Sequence, residues 1–239
     1  MTRCRVRAGM KQRTVVGLGL VALGMVVLGT SWRKRSAGSW TAEEALWCEG
    51  GVELEAAPVV TMRGAFNDVS VVRGDGPRVL VDLSDGVNGP GVFARRVDDE
   101  DGGPAIVVDV HPRRRVQLSV PTGTAVRLMF AKSRIGVDGI DDVEVFTAKS
   151  EISLHEVAGT VRIRSAKDRL DVALAAQRET RAVDVTMAKS SLELGVPAAR
   201  GAAFRIRAAK SRVTAPPSAE GGIPVKLRAA KSTVVVRAA

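Results

Sequence analysis

The chain has no tyrosine, and only five phenylalanines and three tryptophans among its 239 residues. Rings this scarce give no interleaving of basic and aromatic side chains on which bases could stack, so nothing marks a nucleic-acid platform. The two histidines, His111 and His155, stand far apart and have no zinc-ligand spacing. No glycine loop sits in a strand-to-helix setting to cradle phosphate. Asp98-Asp99-Glu100-Asp101-Gly102 lacks the alternation of a calcium loop and reads as a charged turn. Acidic residues are missing altogether from residues 1–35, which hold eight basic ones.

That last absence decides how the net charge of +10 is read. The remainder of the chain carries 28 basic and 26 acidic groups, so most of the excess flanks one apolar stretch. This placement speaks of membrane topology rather than DNA. Within the remainder, residues 36–193 hold 19 basic and 25 acidic groups, whereas residues 194–239 hold nine basic and only Glu220. One end of the folded part should be distinctly positive.

Thr14 through Trp32 is an uncharged run of nineteen residues. As a helix it reaches about 28 Å, close to the thickness of a bilayer's hydrocarbon core. Arg3, Arg5, Arg7, Lys11 and Arg13 precede it, and Arg33, Lys34 and Arg35 follow. The heavier N-terminal count predicts residues 1–13 as a cytoplasmic tail, 14–32 as a transmembrane anchor, and the bulk outside a bacterial cell membrane. A cleaved signal is the rival, but its apolar part would be overlong. Residues 33–48 read as a tether, with one or two helical turns over Ala42 to Trp47 or no regular structure. If the anchor spans, Cys4 and Cys48 lie on opposite sides and cannot pair within one chain. Cys48 then reads as a buried thiol or an intermolecular disulfide partner.

Valine, alanine and glycine are plentiful, and a tripeptide organises them. Ala-Lys-Ser occurs at 131–133, 148–150, 188–190, 209–211 and 230–232, with Ala-Lys-Asp at 166–168. Successive lysines are 17, 18, 22, 21 and 21 residues apart, a period that indicates stacked repeats. Apolar residues stand six and four before each lysine (Val126/Leu128, Val143/Val145, Val161/Ile163, Val183/Val185, Phe204/Ile206, Val225/Leu227) and again three and five after it. This alternation of period two predicts strand, corner, strand. A helix would need apolar spacings of three and four. The expected fold is therefore all-β: a single-stranded parallel β-solenoid of about twenty-residue rungs over residues 122–239. Residues 49–121 read as a capping region of shorter strands, with a hairpin from Val69–Val72 through Gly74-Asp75-Gly76 to Val79–Val81.

Asn67-Asp68-Val69-Ser70-Val71-Val72-Arg73-Gly74-Asp75, then Leu118-Ser119-Val120-Pro121-Thr122-Gly123, then the repeats, resemble bacterial "putative adhesin" or toast-rack β-solenoid domains over about residues 50–239. The resemblance implies an envelope location and, in some members, an association with envelope stress. It brings no catalytic residues. Members commonly turn each rung with Ser-Gly-Asp where this chain has Ala-Lys-Ser, which removes the residue best suited to positive φ.

Six lysines at one corner, Lys132, Lys149, Lys167, Lys189, Lys210 and Lys231, form a ladder. Neighbours about 4.8 Å apart repel by roughly 0.9 kcal/mol in water, which invites counter-ions. They are the candidate polyanion-binding residues, weighed against solvated side chains that protect a regular stack from edge-on association. The Lys-Ser pairs do not read as a catalytic dyad, because adjacent strand residues point to opposite faces. The reading expects a non-enzymatic envelope scaffold or interaction module without cofactor or metal. Its partners would be the membrane, anionic envelope polymers or lipids, or another membrane protein. The alternatives are a subunit that reports envelope state and a polysaccharide-acting β-helix, which would need clustered carboxylates.

Overall fold

Alternating apolar and polar residues build strands whose inner faces must be covered, and here two sheets cover each other. The computed structural model describes residues 46–48, 52–83, 91–99 and 102–239, where every regular element is a strand. The cytoplasmic tail, the anchor and most of the tether predicted above lie outside the described residues. Among the described residues no helix is long and apolar enough to cross a membrane. Leu46–Cys48 is a strand, which corrects the helical turn expected as far as Trp47.

In chain order the strands are β1 (Leu46–Cys48), β2 (Val52–Glu55), β3 (Val59–Ala65), β4 (Asp68–Arg73), β5 (Arg78–Leu83), β6 (Val92–Asp98), β7 (Pro104–Val110) and β8 (Arg115–Val120). The tripeptide region follows as β9 (Ala125–Ala131), β10 (Arg134–Asp138), β11 (Val143–Ala148), β12 (Glu151–Val157), β13 (Gly159–Ala166) and β14 (Arg169–Leu174). It ends with β15 (Thr180–Ala188), β16 (Ser191–Val196), β17 (Ala202–Ala209), β18 (Arg212–Thr214), β19 (Ile223–Ala230) and β20 (Thr233–Ala238).

Each tripeptide turns the chain from one sheet to the other. Sheet one runs β1-β6-β7-β3-β9-β11-β13-β15-β19-β17, and sheet two runs β18-β20-β16-β14-β12-β10-β4-β8-β5-β2. From β7 and β8 onward the pairings are parallel and keep like residues level: Val143 lies between Val126 and Val161, and Leu154 between Val137 and Val172. The inner side chains form one buried cluster between the sheets, with Leu128, Val145, Ile163, Leu154 and Val234 all essentially inaccessible. Burying a Val, Leu or Ile side chain contributes about 1.5–3 kcal/mol. No rung can collect this unless neighbours flank it, so the rungs stabilise one another.

Two features depart from a simple succession of rungs. First, parallel stacking extends upstream of residue 122. Val60 and Met62 lie level with Val126 and Leu128, and Val69 and Val71 level with Ile135 and Val137. The predicted β4–β5 hairpin does not form, because β8 lies between them and β5 pairs antiparallel with β8. The Gly74 N–H, donated to Val120 O at 2.8 Å, ties the connection across that strand. Antiparallel β5 and β2 close one sheet at this end, and β6 and β1 the other. Second, the last rung in sequence is not the last in space. The pair β19–β20 inserts between β15–β16 and β17–β18, so residues 202–214 form the far end.

Candidate functional site

All six tripeptide lysines lie on one corner of the stack, and all are exposed. Their spatial order is Lys132, Lys149, Lys167, Lys189, Lys231, Lys210, with the last two exchanged relative to sequence. Each occupies the left-handed region, with φ between 52° and 63°. The glycine absent from the tripeptide is therefore not replaced by another corner geometry; lysine takes the left-handed position itself. That conformation costs an L-residue roughly 1–2 kcal/mol.

The corner backbone holds that conformation in place by bonding to both neighbouring rungs. The lysine N–H donates to the alanine carbonyl of the next rung, as in Lys132 to Ala148, Lys149 to Ala166 and Lys189 to Ala230, each at 2.9 Å. The following serine N–H donates to the serine hydroxyl one rung on: Ser133 to Ser150 at 3.2 Å, Ser190 to Ser232 at 3.2 Å and Ser232 to Ser211 at 3.1 Å. Each hydroxyl in turn donates to the alanine carbonyl two residues before it, at 2.9–3.3 Å. The serines thus run as a second, mostly buried ladder beneath the lysines. This satisfies polar groups that would otherwise be costly to bury.

Asp168 takes the serine position in one rung. It accepts the Ser150 N–H at 2.6 Å, the Ala166 N–H at 2.9 Å and the Thr147 hydroxyl at 2.9 Å. Burial raises its pKa above the ordinary carboxyl value, and these three donors oppose the shift without cancelling it. Thr147 is one of two polar residues in a row otherwise filled by Gly64, Phe130, Met187, Ala229 and Ala208; the other is Ser165, which donates to Ser190 Oγ at 3.2 Å.

The row has two further members that the tripeptide does not mark. Phe66, at φ 61°, sits in the lysine position of β3–β4, and its N–H donates to Ala131 O. Arg113, at φ 64°, turns β7–β8. Asn67 takes the serine position after Phe66, accepting the Arg114 N–H on Oδ1 and donating its own N–H to Ser133 Oγ. A signal did exist for Phe66: Val60, Met62, Val69 and Val71 stand at the same offsets from it as the apolar residues do from each lysine. Half of the Phe66 side chain is exposed, with the Lys132 ammonium 4.8 Å from its ring centroid.

No family model matches the chain, and no curated protein matches it in sequence. Among solved structures it is similar to one described as a "putative cell adhesion protein" from Clostridium sporogenes ATCC 15579. The identity is 7%, the match covers 79% of this chain and 99% of that one, and the TM-score is 0.48. Another, described as a "putative lipid binding protein" from Parabacteroides distasonis ATCC 8503, is 11% identical over 83% of this chain and 96% of that one, with a TM-score of 0.19.

The charge around the row is uneven. Beside Lys132 and Lys149, Arg134 and Glu151 lie level and pair at 3.5 Å. Beyond them the outward residues nearest the corner are Arg164 and Arg169, then Thr186 and Ser191, then Arg228 and Thr233, and finally Arg207 and Arg212. Among the described residues none of the six lysines forms an ion pair. The row therefore ends in a concentration of positive charge around Lys231 and Lys210. His155 stands apart from it, hydrogen-bonded to Ser153 at 2.7 Å.

Proposed function

We propose that the chain is a non-enzymatic β-solenoid interaction module of the bacterial cell envelope, held by residues 14–32 with its C-terminal part outside the membrane. Its lysine corner binds linear polyanions such as anionic glycans or lipid headgroups. One observation carries this reading. Six times the chain sets lysine in a left-handed corner, where glycine would avoid a steric cost of about 1–2 kcal/mol. Nothing in the backbone bonding of the corner requires an ammonium, because the N–H and carbonyl partners are main-chain groups and serine hydroxyls. A charge kept at a conformational cost, repeated in register and left without carboxylate partners, is what a periodic anion would need.

Retention of the full chain on heparin and on anionic liposomes tests the reading, compared with a Lys189→Ala/Lys210→Ala/Lys231→Ala variant. These three corners are consecutive in space. Salt-sensitive retention of the native chain, lost in the variant, is the expected outcome. Equal retention of both proteins would make the lysines solvated corners only. Retention of a particular membrane protein, with no polyanion binding, would move the function to scaffolding.

A further inference from the structure

The two ends of the stack are finished differently. At the β1–β2 end, antiparallel strands close both sheets. At the other end β17 and β18 are the last strands of their sheets, and the core comes to the surface there. Ile206 is 39% exposed, whereas the residues level with it in the preceding rungs, Leu227, Val185 and Ile163, are 0–1% exposed. Phe204 and Val213 are only partly covered.

The backbone of β17 is open over the same stretch. The Phe204 N–H points away from β19 and is capped by Ser218 Oγ at 3.1 Å. By the period of two, the N–H groups of Ile206 and Ala208 point the same way, beyond the reach of that serine.

The stack's own side-chain pairing says what belongs beside this edge. At level positions in adjacent rungs it sets opposite charges together: Arg63 with Asp109, Asp68 with Arg115, Arg127 with Glu144, and Asp184 with Lys226. Sheet two contains one like pair, Asp171 level with Glu193, with Arg237 3.6 Å from Glu193. At the last junction the rule reverses. Arg205 lies level with Lys226 and Arg207 with Arg228, and among the described residues neither Arg205 nor Arg207 has an ion pair. Like charges directly opposite are destabilising. A carboxylate-bearing strand on the free side of β17 would restore the alternation.

We infer that the β17–β18 end is a docking edge for an extended segment of another protein, one that alternates apolar and acidic residues. Its main chain adds a strand beside Arg205–Ala209, its apolar side chains cover Phe204, Ile206 and Val213, and its carboxylates face Arg205 and Arg207. The basic character of this end disfavours a second copy's identical end as occupant. The inference rests on the reading of the chain as an interaction module but uses a surface separate from the lysine corner, so either can fail alone.

The test measures binding of the full chain to a fluorescent peptide alternating Glu with Val and Ile, and to a scrambled peptide of the same composition. The alternating peptide should bind at least about tenfold tighter. Ala208→Pro removes an outward N–H without breaking the β19 pairing and should weaken binding about tenfold. Arg205→Glu/Arg207→Glu should abolish binding while raising thermal stability, because Lys226 and Arg228 gain partners. Equal affinity for both peptides, or undiminished binding by either variant, overturns the inference. So does concentration-dependent self-association of the native chain that the charge reversal removes, since the occupant would then be a second copy. Loss of heparin binding in the lysine variant with peptide binding intact would separate the two surfaces.

Discussion

The Ser150 N–H donates to Asp168 Oδ1 at 2.6 Å, in the place where every neighbouring rung uses a serine hydroxyl. A carboxylate in a buried serine ladder gives the fold a pH dependence of definite sign. The folded-state pKa of Asp168 is raised by burial, so the folded chain holds that proton more tightly than the unfolded one. The benefit is complete below the ordinary value of 3.8 and is lost as pH rises through the raised value. Asp168→Ser should therefore gain stability relative to the native chain as pH increases from about 4 toward neutrality. Urea unfolding across that range checks it; a difference that does not change with pH would contradict it.

Asp142 behaves in the opposite sense. Burial pushes its pKa up, but the Thr160 N–H at 2.8 Å and the Arg181 guanidinium prevail and hold it below the ordinary carboxyl value. Its contribution is present above that value and disappears as pH falls through the lowered one. Asp142→Asn should destabilise the chain at neutral pH, and the difference should shrink on acidification. Unfolding midpoints of the two proteins, compared at pH 7 and in strong acid, decide this.

Substitutions at a corner separate charge from conformation. Lys149→Gly relieves the left-handed strain at φ 58° but makes the unfolded chain more flexible, so its stability should stay within about 1 kcal/mol of native. Lys149→Val puts a β-branched residue at the same φ and should cost about 1–3 kcal/mol. Denaturant midpoints measure both. A glycine variant as unstable as the valine one would mean that the lysine side chain, not the turn, holds the corner.

The open end should tolerate truncation that the middle does not. Leu128 is fully buried and Ile206 is 39% exposed, although both stand four residues before a corner lysine. Leu128→Ala should cost about 2–5 kcal/mol. Ile206→Ala should cost well under about 1.5 kcal/mol, because less apolar surface leaves the core. Chemical denaturation of the two variants distinguishes an open end from one covered within the chain.

The strands and their corners were readable because burial imposes period two on every rung, and the tripeptide marks where that pattern crosses from one sheet to the other. The stacking order was not readable. Val225 and Leu227 fit between Val183/Val185 and Phe204/Ile206 as well as they would fit outside them, since all these inner faces are alike. The crossing is made by the connections of residues 197–201 and 215–222, and the first is no longer than residues 175–179, which lead to the adjacent rung. Phe66 is not marked as a corner by the tripeptide because its neighbours Ala65 and Asn67 keep only the alanine, although the apolar offsets around it are intact. The serine ladder was visible as a repeated letter, but its role as acceptor for the neighbouring rung depends on the parallel register. For the same reason the like pairs Arg205–Lys226 and Arg207–Arg228 could not be seen before β19 was placed beside β17.

The central claim is that the lysines act as one linear row. Six corners at the strand spacing of about 4.8 Å extend about 24 Å. Calorimetric titration of the full chain with size-fractionated heparin oligomers tests this most directly. Affinity should rise with oligomer length until the ligand spans about 24 Å and then level off, a rise that Lys189→Ala/Lys210→Ala/Lys231→Ala abolishes. An affinity independent of length, or a length profile that the triple variant leaves unchanged, would contradict the account.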